Sequence, residues 1–444
     1  MSSLTITPGK PLRGTIAVPG DKSITHRALI MTALSEGTGR IRGSCRGEDC
    51  LNTMRALQGL GVAIEDTVDE LRVQGKGLWG LSEPSGVVDC GNSGTGIRLL
   101  TGLLAGQDFF TVLTGDASIR RRPMGRIVKP LREMGATIAG RKGGELAPLA
   151  VTGSTLRAIT YASPVASAQI KSSLLFAALY AKGITRLSEP RLSRDHTERL
   201  FQFYGLPLER EGGTLVMEGR PSVGWTTAPE LTIPGDLSAA AFFIVGATIV
   251  PGSDITITGV GVNQTRTGLL EVLNRMGADI QLLNKRDESG EPVADIRIRS
   301  APLHGVTIGP DLIPQTIDEF PILFVAAAVA DGQTILTGAE ELRVKESDRI
   351  ATMATELRAM GAQVVEQPDG LMIRGLGHPG ENGRMTATQG QSHGDHRVAM
   401  SIAIAGLTAS GDTVIHDTGC IETSFPDFHR KLLDLLTDCR TPLI

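Results

Sequence analysis

Aromatic residues make up only 4% of this 444-residue chain, with two tryptophans and three tyrosines. So few flat rings argue against a surface on which nucleic-acid bases stack. The formal net charge is −4 and no block of five or more Lys or Arg occurs, so neither a nucleic-acid nor a membrane footprint is expected. The five cysteines (45, 50, 90, 420 and 439) are odd in number and form neither a CxxC pair nor a His-linked zinc spacing, which favours reduced thiols in a cytosolic protein. The longest largely apolar run, Ala239 to Val250, has 12 residues and is too short to span a bilayer. Met1 to Gly14 contains no apolar h-region, so a secretory signal is not expected. HExxH, EF-hand and GxSxG triad patterns are also missing, so nothing demands a metal or an organic cofactor. A soluble, cytoplasmic protein without cofactors is the expectation.

What the chain does have is 54 glycines, and they mark a repeat. Six apolar, helix-like stretches each open on polar or charged residues and close on a glycine. They run Lys22–Gly37, Asn92–Gly106, Ser167–Gly183, Asp236–Gly252, Asp318–Gly332 and Asp395–Gly411. The closing glycines fall 69, 77, 69, 80 and 79 residues apart, which describes one supersecondary unit used six times. A second helix in each unit ends on a marker of the Met-Gly-Ala type, at Gly61, Gly135, Gly205, Gly277 and Gly361, followed by an alternating strand. The sixth unit, with Phe428 to Leu436, stops before a full marker.

The length suits two domains, and an internal echo places them. Pro19-Gly20-Asp21-Lys22-Ser23 returns 215 residues later as Pro234-Gly235-Asp236-Leu237-Ser238. The expected domains are residues 22–233 and residues 1–20 plus 234–444, although the residues themselves allow Met1 to Val18 to join either half.

The openings of the repeats carry the chemistry. Free N–H donors and a partial positive charge make a helix N-terminus attractive to anions. Lys22, Ser23 and Arg27 lie in or near such a start, where cations oppose the dipole unless an anion answers them. Gly91 to Gly96 is a tight loop before Arg98, read either as a turn with a cap or as close backbone approach by a ligand at Gly94. Of the Arg120–Arg122 triplet, Arg122 beside Pro123 is best placed to fork onto a carboxylate or phosphate, and at least one of the others is expected in solvent. On a helix, Lys345 and Arg349 would share one face as like charges, and Glu346 or a bound anion would have to relieve them. Asp318-Glu319 and Asp395-His396-Arg397 open two further helices, and Asp395 serves equally well as a simple cap.

The motifs VPGDKSITHR, GNSGTG.R, RRRPMGRIVKPLREMGA, VKESDR, GDHRVAM and TSFPDF together resemble the 5-enolpyruvylshikimate-3-phosphate synthase family, essentially end to end. The resemblance implies an inverse α/β barrel of two domains, each of three repeats, with the ligand cleft between them. It implies transfer of the enolpyruvyl group of phosphoenolpyruvate to 3-phosphoshikimate, with release of phosphate and no cofactor. It assigns Lys22, Ser23, Arg27, Ser167, Ala168, Gln169, Asp318 and Lys345 to phosphoshikimate, with either Ser193 or Arg194 on the same phosphate. Lys22, Gly94, Arg122, Gln169, Arg349 and Arg397 are assigned to phosphoenolpyruvate. Asp318 would accept the proton of the 5-hydroxyl, Glu346 would shuttle a proton at the methylene, and Lys22 is counted with them as a catalytic residue.

Two positions depart from the commonest bacterial pattern. Thr423 stands where many members carry lysine, and Glu341 replaces an asparagine. ASAQIKSSLL and SRDHT are closer to a branch known for glyphosate tolerance, which rests largely on alanine at the position of Gly94. Glycine here predicts inhibition by glyphosate, and a monomer is expected. The related transferase acting on UDP-N-acetylglucosamine carries a reactive cysteine where Ala117 stands in this chain, which speaks against that activity. A non-catalytic phosphometabolite-binding protein would be marked by loss of Asp318 or Glu346, and both are present. RNA 3′-phosphate cyclase has similar repeats, but the acidic net charge disfavours an RNA partner.

Overall fold

The computed structural model describes residues 2–219, 228–379 and 383–437. The chain divides into two compact units. Gly20–Ile233 with Asp287–Glu291 forms the first-half unit. Met1–Pro19, Pro234–Arg286 and Pro292–Ile444 form the second-half unit. Asp287–Glu291, expected with the second half, spans the hairpin tip where the strand Asp279–Glu288 turns into Glu291–Arg299 and groups with the first-half unit instead.

The first-half unit contains three pairs of helices. They are α1 (Lys22–Leu34) with α2 (Glu48–Gly59), α3 (Gly94–Leu104) with α4 (Gly125–Glu133), and α5 (Ala168–Ala178) with α6 (His196–Phe203). Three four-stranded sheets accompany them in one shared order. In the second of these, Val88–Asp89 runs parallel to Phe110–Thr114, which pairs antiparallel with Leu146–Thr152, itself antiparallel to Thr137–Gly140. Glu230–Thr232, at the end of the half, returns to lie parallel with Thr38–Arg42 of the first sheet.

The second-half unit repeats the plan with α7 (Leu237–Ile249), α8 (Gly268–Arg275), α9 (Phe320–Ala328), α10 (Arg349–Ala359), α11 (His396–Gly406) and α12 (Phe428–Leu436). The N-terminal segment supplies strands the second half would otherwise lack. Arg13–Ala17 runs parallel to Asp254–Gly261, and Ser3–Ile6 pairs antiparallel with Thr413–His416 in the sixth sheet, which has three strands.

One helix of each pair is buried almost all round. All thirteen residues of α7 are buried, and each large apolar side chain there contributes roughly 1.5–3 kcal/mol. Small residues allow the tight packing that a chain poor in aromatics needs. A Cβ on Gly102 of α3 would lie 2.1 Å from the Ser173 carbonyl oxygen of α5, so only glycine permits that approach. Each unit has its own continuous apolar core.

The helices are shorter than the apolar stretches suggested, ending two to five residues before the closing glycines. Four of those glycines (37, 183, 252 and 332) take a left-handed φ in the turn that follows. All five marker glycines that end the second helices are left-handed, as a C-terminal cap requires.

Candidate active site

In the first-half unit the start of α1 is capped by Asp21, whose carboxylate accepts from the Ile24 N–H at 2.9 Å. The cation that follows is answered from within the protein: Lys22 Nζ meets Asp49 Oδ2 of α2 at 2.7 Å. Arg27 is buried one turn on. Its Nε donates to Thr197 Oγ1, its Nη2 to Ser172 Oγ and its Nη1 to the Ser23 carbonyl, each at 2.7 Å. Burial lowers its pKa to about 10, against the pull of Glu198 and Asp21, and the Arg194 charge lowers it further. Arg194 therefore acts on the same small region as Arg27.

Beside Arg27, His26 is fully buried. Burial, then the charges of Lys22 and Arg27, push its pKa down to about 3, so it stays neutral. Its Nδ1 shares a 2.8 Å hydrogen bond with Thr53 Oγ1, and its Nε2 lies 3.4 Å from Ser93 Oγ. Ser93 caps α3 by accepting from the Gly96 N–H at 2.9 Å. The histidine thereby ties α1 and α2 to the glycine loop.

Gly94 packs against two guanidinium groups. A Cβ there would lie 2.6 Å from Arg122 Nη1 and 2.9 Å from Arg98 Nη1. Arg98 donates to the Gly94 carbonyl at 3.1 Å, to Gln169 Oε1 at 2.6 Å and to the Pro123 carbonyl at 3.0 Å. Gln169 Nε2 continues to Thr95 Oγ1 at 3.1 Å. Ser167 caps α5, and Ala168 and Gln169 form its first turn. Lys22, Ser23, Arg27, Gly94, Arg122, Ser167, Ala168, Gln169 and Arg194 thus all belong to one unit, on the starts of α1, α3 and α5 and the loops beside them. Arg120 and Arg121 are exposed. A small pocket borders α5, with Ser167, Lys171, Glu189 and Arg210 among its lining.

The second-half unit is built around Arg349, which is 1% exposed. Its Nε donates to Asp395 Oδ2 at 2.8 Å, its Nη2 to Glu346 Oε2 at 2.6 Å and its Nη1 to Asp318 Oδ1 at 3.4 Å. Despite burial, these carboxylates hold the Arg349 pKa above its ordinary value. Burial works against ionisation of Asp395, but the Arg349 guanidinium outweighs it and the carboxyl stays below the usual range. Arg397 donates to the Asp318 carbonyl at 2.7 Å and stands 3.9 Å from its carboxylate. Burial lowers the Lys345 pKa against the opposing charges of Asp318 and Glu341.

The expected helical face shared by Lys345 and Arg349 does not form. Glu340–Val344 is a 3-10 turn, Lys345 is extended, and Asp348 caps α10 by accepting from the Ala351 N–H at 3.0 Å. Arg349 is the first residue of α10 and points among carboxylates, which offset the repulsion it still exerts on Lys345. Asp318 also precedes the helix start, which falls at Phe320.

Glu319, read in the sequence only as part of a helix opening, accepts from Ser238 Oγ and lies 3.5 Å from Arg266 and 3.8 Å from Arg397. Motif reading missed Asp49, Ser172 and Thr197, because nothing distinguishes a buried Thr or Asp partner from an ordinary surface one in sequence. Cys45, Cys50, Cys90 and Cys420 are reduced thiols, and Cys439 lies outside the described residues. No helix among the described residues is long and apolar enough to cross a membrane.

A family model described as EPSP synthase (3-phosphoshikimate 1-carboxyvinyltransferase) matches residues 6–432. The chain belongs to the EPSP synthase family. It is 53% identical over 428 residues to a 3-phosphoshikimate 1-carboxyvinyltransferase of Geotalea uraniireducens, covering 96% of this chain and 98% of that one. A solved EPSP synthase from Acinetobacter baumannii is 44% identical, with 98% of each chain covered and a TM-score of 0.87. The enolpyruvyl transferase NikO from Streptomyces tendae shares the fold at a TM-score of 0.78, with 18% identity over 98% of this chain and 97% of that one. The fold is the two-domain inverse α/β barrel of this family.

Proposed function

We propose that this protein transfers the enolpyruvyl group of phosphoenolpyruvate to the 5-hydroxyl of 3-phosphoshikimate and releases inorganic phosphate. Family membership over residues 6–432, with every assigned motif residue in place, carries the reading.

The charge distribution suits it. The two substrates bring two phosphates and two carboxylates together, and their mutual repulsion must be offset by fixed cations. Lys22, Ser23, Arg27, Ser167, the Ala168 backbone, Gln169 and Arg194 hold phosphoshikimate, with Asp318 and Lys345 toward its hydroxyl end. Lys22, Gly94, Arg122, Gln169, Arg349 and Arg397 hold phosphoenolpyruvate. Addition needs the 5-hydroxyl to lose a proton as its oxygen bonds to C2, while C3 gains one. Elimination then removes a proton from C3 and expels phosphate. Asp318 serves the hydroxyl and Glu346 the methylene, one carboxylate for each proton position. Both carboxylates lie within ion-pair distance of Arg349, Asp318 at 3.4 Å and Glu346 at 2.6 Å.

Glyphosate is the expected inhibitor, because Gly94 leaves Arg122 where a Cβ would displace it. The protein acts as a monomer in the cytoplasm. Phosphate release from the two substrates, with UDP-N-acetylglucosamine as the alternative acceptor, tests the assignment. Turnover with the sugar nucleotide in place of phosphoshikimate would overturn it.

A further inference from the structure

Lys171 of α5 is 6% exposed and lies two residues beyond Gln169. Its ammonium meets Glu189 Oε1 at 2.9 Å, Glu198 Oε1 at 2.8 Å and the Ser193 carbonyl at 3.2 Å. Glu189 in turn accepts from the Ser193 N–H at 2.9 Å and from Ser193 Oγ at 2.6 Å. Ser193 is therefore gripped by its carbonyl, its amide and its hydroxyl at once. The next residue is Arg194, whose charge acts on Arg27. On the far side of the loop, Thr197 accepts from Arg27, and its hydroxyl lies 2.6 Å from Ser172 Oγ of α5.

A buried ion pair adds little to stability compared with an apolar substitute, and its best-attested use is to fix one arrangement among several. Here the arrangement fixed is that of the loop between the strand Ile184–Ser188 and α6. Burial pushes the Glu198 carboxyl up and Lys171 opposes it, with Arg210 Nη2 a further 3.4 Å from the same carboxylate. The Ser193 hydroxyl is committed to Glu189, so of the two neighbours it is Arg194 that is suited to meet a ligand's phosphate.

We propose that Lys171 and Glu189 are positioning residues for the phosphate end of phosphoshikimate, clamping Ser193 so that the Arg194 guanidinium is held in the region of Arg27. The inference rests on the proposed substrate and deepens it. It predicts that losing the clamp weakens recognition of the 3-phosphate without touching the enolpyruvyl chemistry.

The test compares Lys171→Met, Glu189→Gln and Lys171→Arg with the wild-type protein. Michaelis constants for each substrate come from phosphate release, and calorimetry gives phosphoshikimate affinity without turnover. The Met and Gln variants should raise the phosphoshikimate KM and Kd on the order of ten- to hundredfold, the scale of a lost charge-assisted hydrogen bond. The phosphoenolpyruvate KM and kcat should stay within about threefold, since only one ligand's site is disturbed. Preference for phosphoshikimate over unphosphorylated shikimate should shrink by the same factor, and Lys171→Arg should restore most of it. If Lys171→Met does not fold, Glu189→Gln carries the test, because the amide keeps one acceptor oxygen. Equal rises in both KM values, a loss confined to kcat, or a lower Tm with unchanged affinity would overturn the proposal. Wild-type binding of phosphoshikimate without phosphate release would instead refute the activity and leave the clamp to be judged on Kd alone. A wild-type protein that binds no phosphoshikimate would overturn both.

Discussion

At the start of α1 Asp21 caps the helix and Lys22 follows; at the matching start of α7 Asp236 caps and Leu237 follows. The two caps come from the same Pro-Gly-Asp turn, yet what surrounds them differs. Around α1, α3 and α5 the lysines pair with carboxylates, Lys22 with Asp49 and Lys171 with Glu189 and Glu198, but the arginines bond to hydroxyls, amides and carbonyls: Arg27 to Thr197 and Ser172, Arg98 to Gln169 and to two carbonyls. Around α9, α10 and α11 cations and carboxylates are interleaved, with Arg349 touching three carboxylates. Neutral partners such as those of Arg27 and Arg98 offset less of a guanidinium's charge than carboxylates do. An interleaved frame instead sets the ionisation of the carboxylates within it. The proposed function casts the first as chiefly a binding half and the second as the acid–base half, and the difference lies in the residues beside the caps rather than in the caps.

The sharpest way to break this comparison is to disable one half and look for damage in the other's function. Glu346→Gln keeps an acceptor for Arg349 but cannot carry a proton. It should lower kcat by roughly 10²–10⁴-fold with calorimetric affinity for phosphoshikimate nearly unchanged. A comparable loss of affinity would show that Glu346 binds rather than reacts. Lys22→Met should do the reverse, raising both KM values by about ten- to hundredfold. It also leaves the buried Asp49 without its ammonium, so the thermal midpoint should fall.

Smaller changes sharpen the picture. Gly94→Ala forces the Arg122 guanidinium to give way by several tenths of an ångström. It should raise the glyphosate inhibition constant and, by roughly fivefold, the phosphoenolpyruvate KM. An inhibition constant unaffected by the methyl group would separate Gly94 from the glyphosate site. The smallest effect at neutral pH is that of His26. Its folded pKa of about 3 lies below the unfolded value of 6.5, so an unfolded chain takes up a proton that the folded one refuses between those limits. Stability is therefore complete above pH 6.5 and falls as the pH drops, by roughly 3 kcal/mol at pH 4. His26→Gln should flatten that part of the thermal-midpoint curve; parallel curves for the two proteins would refute the role of the buried neutral ring.

Much of the fold was readable because the repeat is written in glycines whose backbone conformation is special. Gly61, Gly135, Gly205, Gly277 and Gly361 end helices in the left-handed region, where other residues are strained. The candidate residues at helix starts stand out in the sequence for a related reason, since Lys22 and Arg397 stand where the dipole disfavours them. Periodicity misjudged Lys345 and Arg349, because a capping Asp348 breaks the apparent helix between them. The partners of the cations stayed hidden. Asp49 is 27 residues from Lys22 and Thr197 is 170 from Arg27, and only folding brings such pairs together. The grouping of Asp287–Glu291 with the first-half unit was hidden as well: His196 Nδ1 meets Glu291 Oε1 at 2.7 Å across 95 residues.

The central claim, a binding half and an acid–base half serving one reaction, is tested most directly by phosphate release from 3-phosphoshikimate and phosphoenolpyruvate in wild-type protein and in Asp318→Ala. The account predicts release by the wild type with phosphoshikimate but not with UDP-N-acetylglucosamine, and its near-complete loss in the variant. Release with the sugar nucleotide, or undiminished turnover without Asp318, would contradict it.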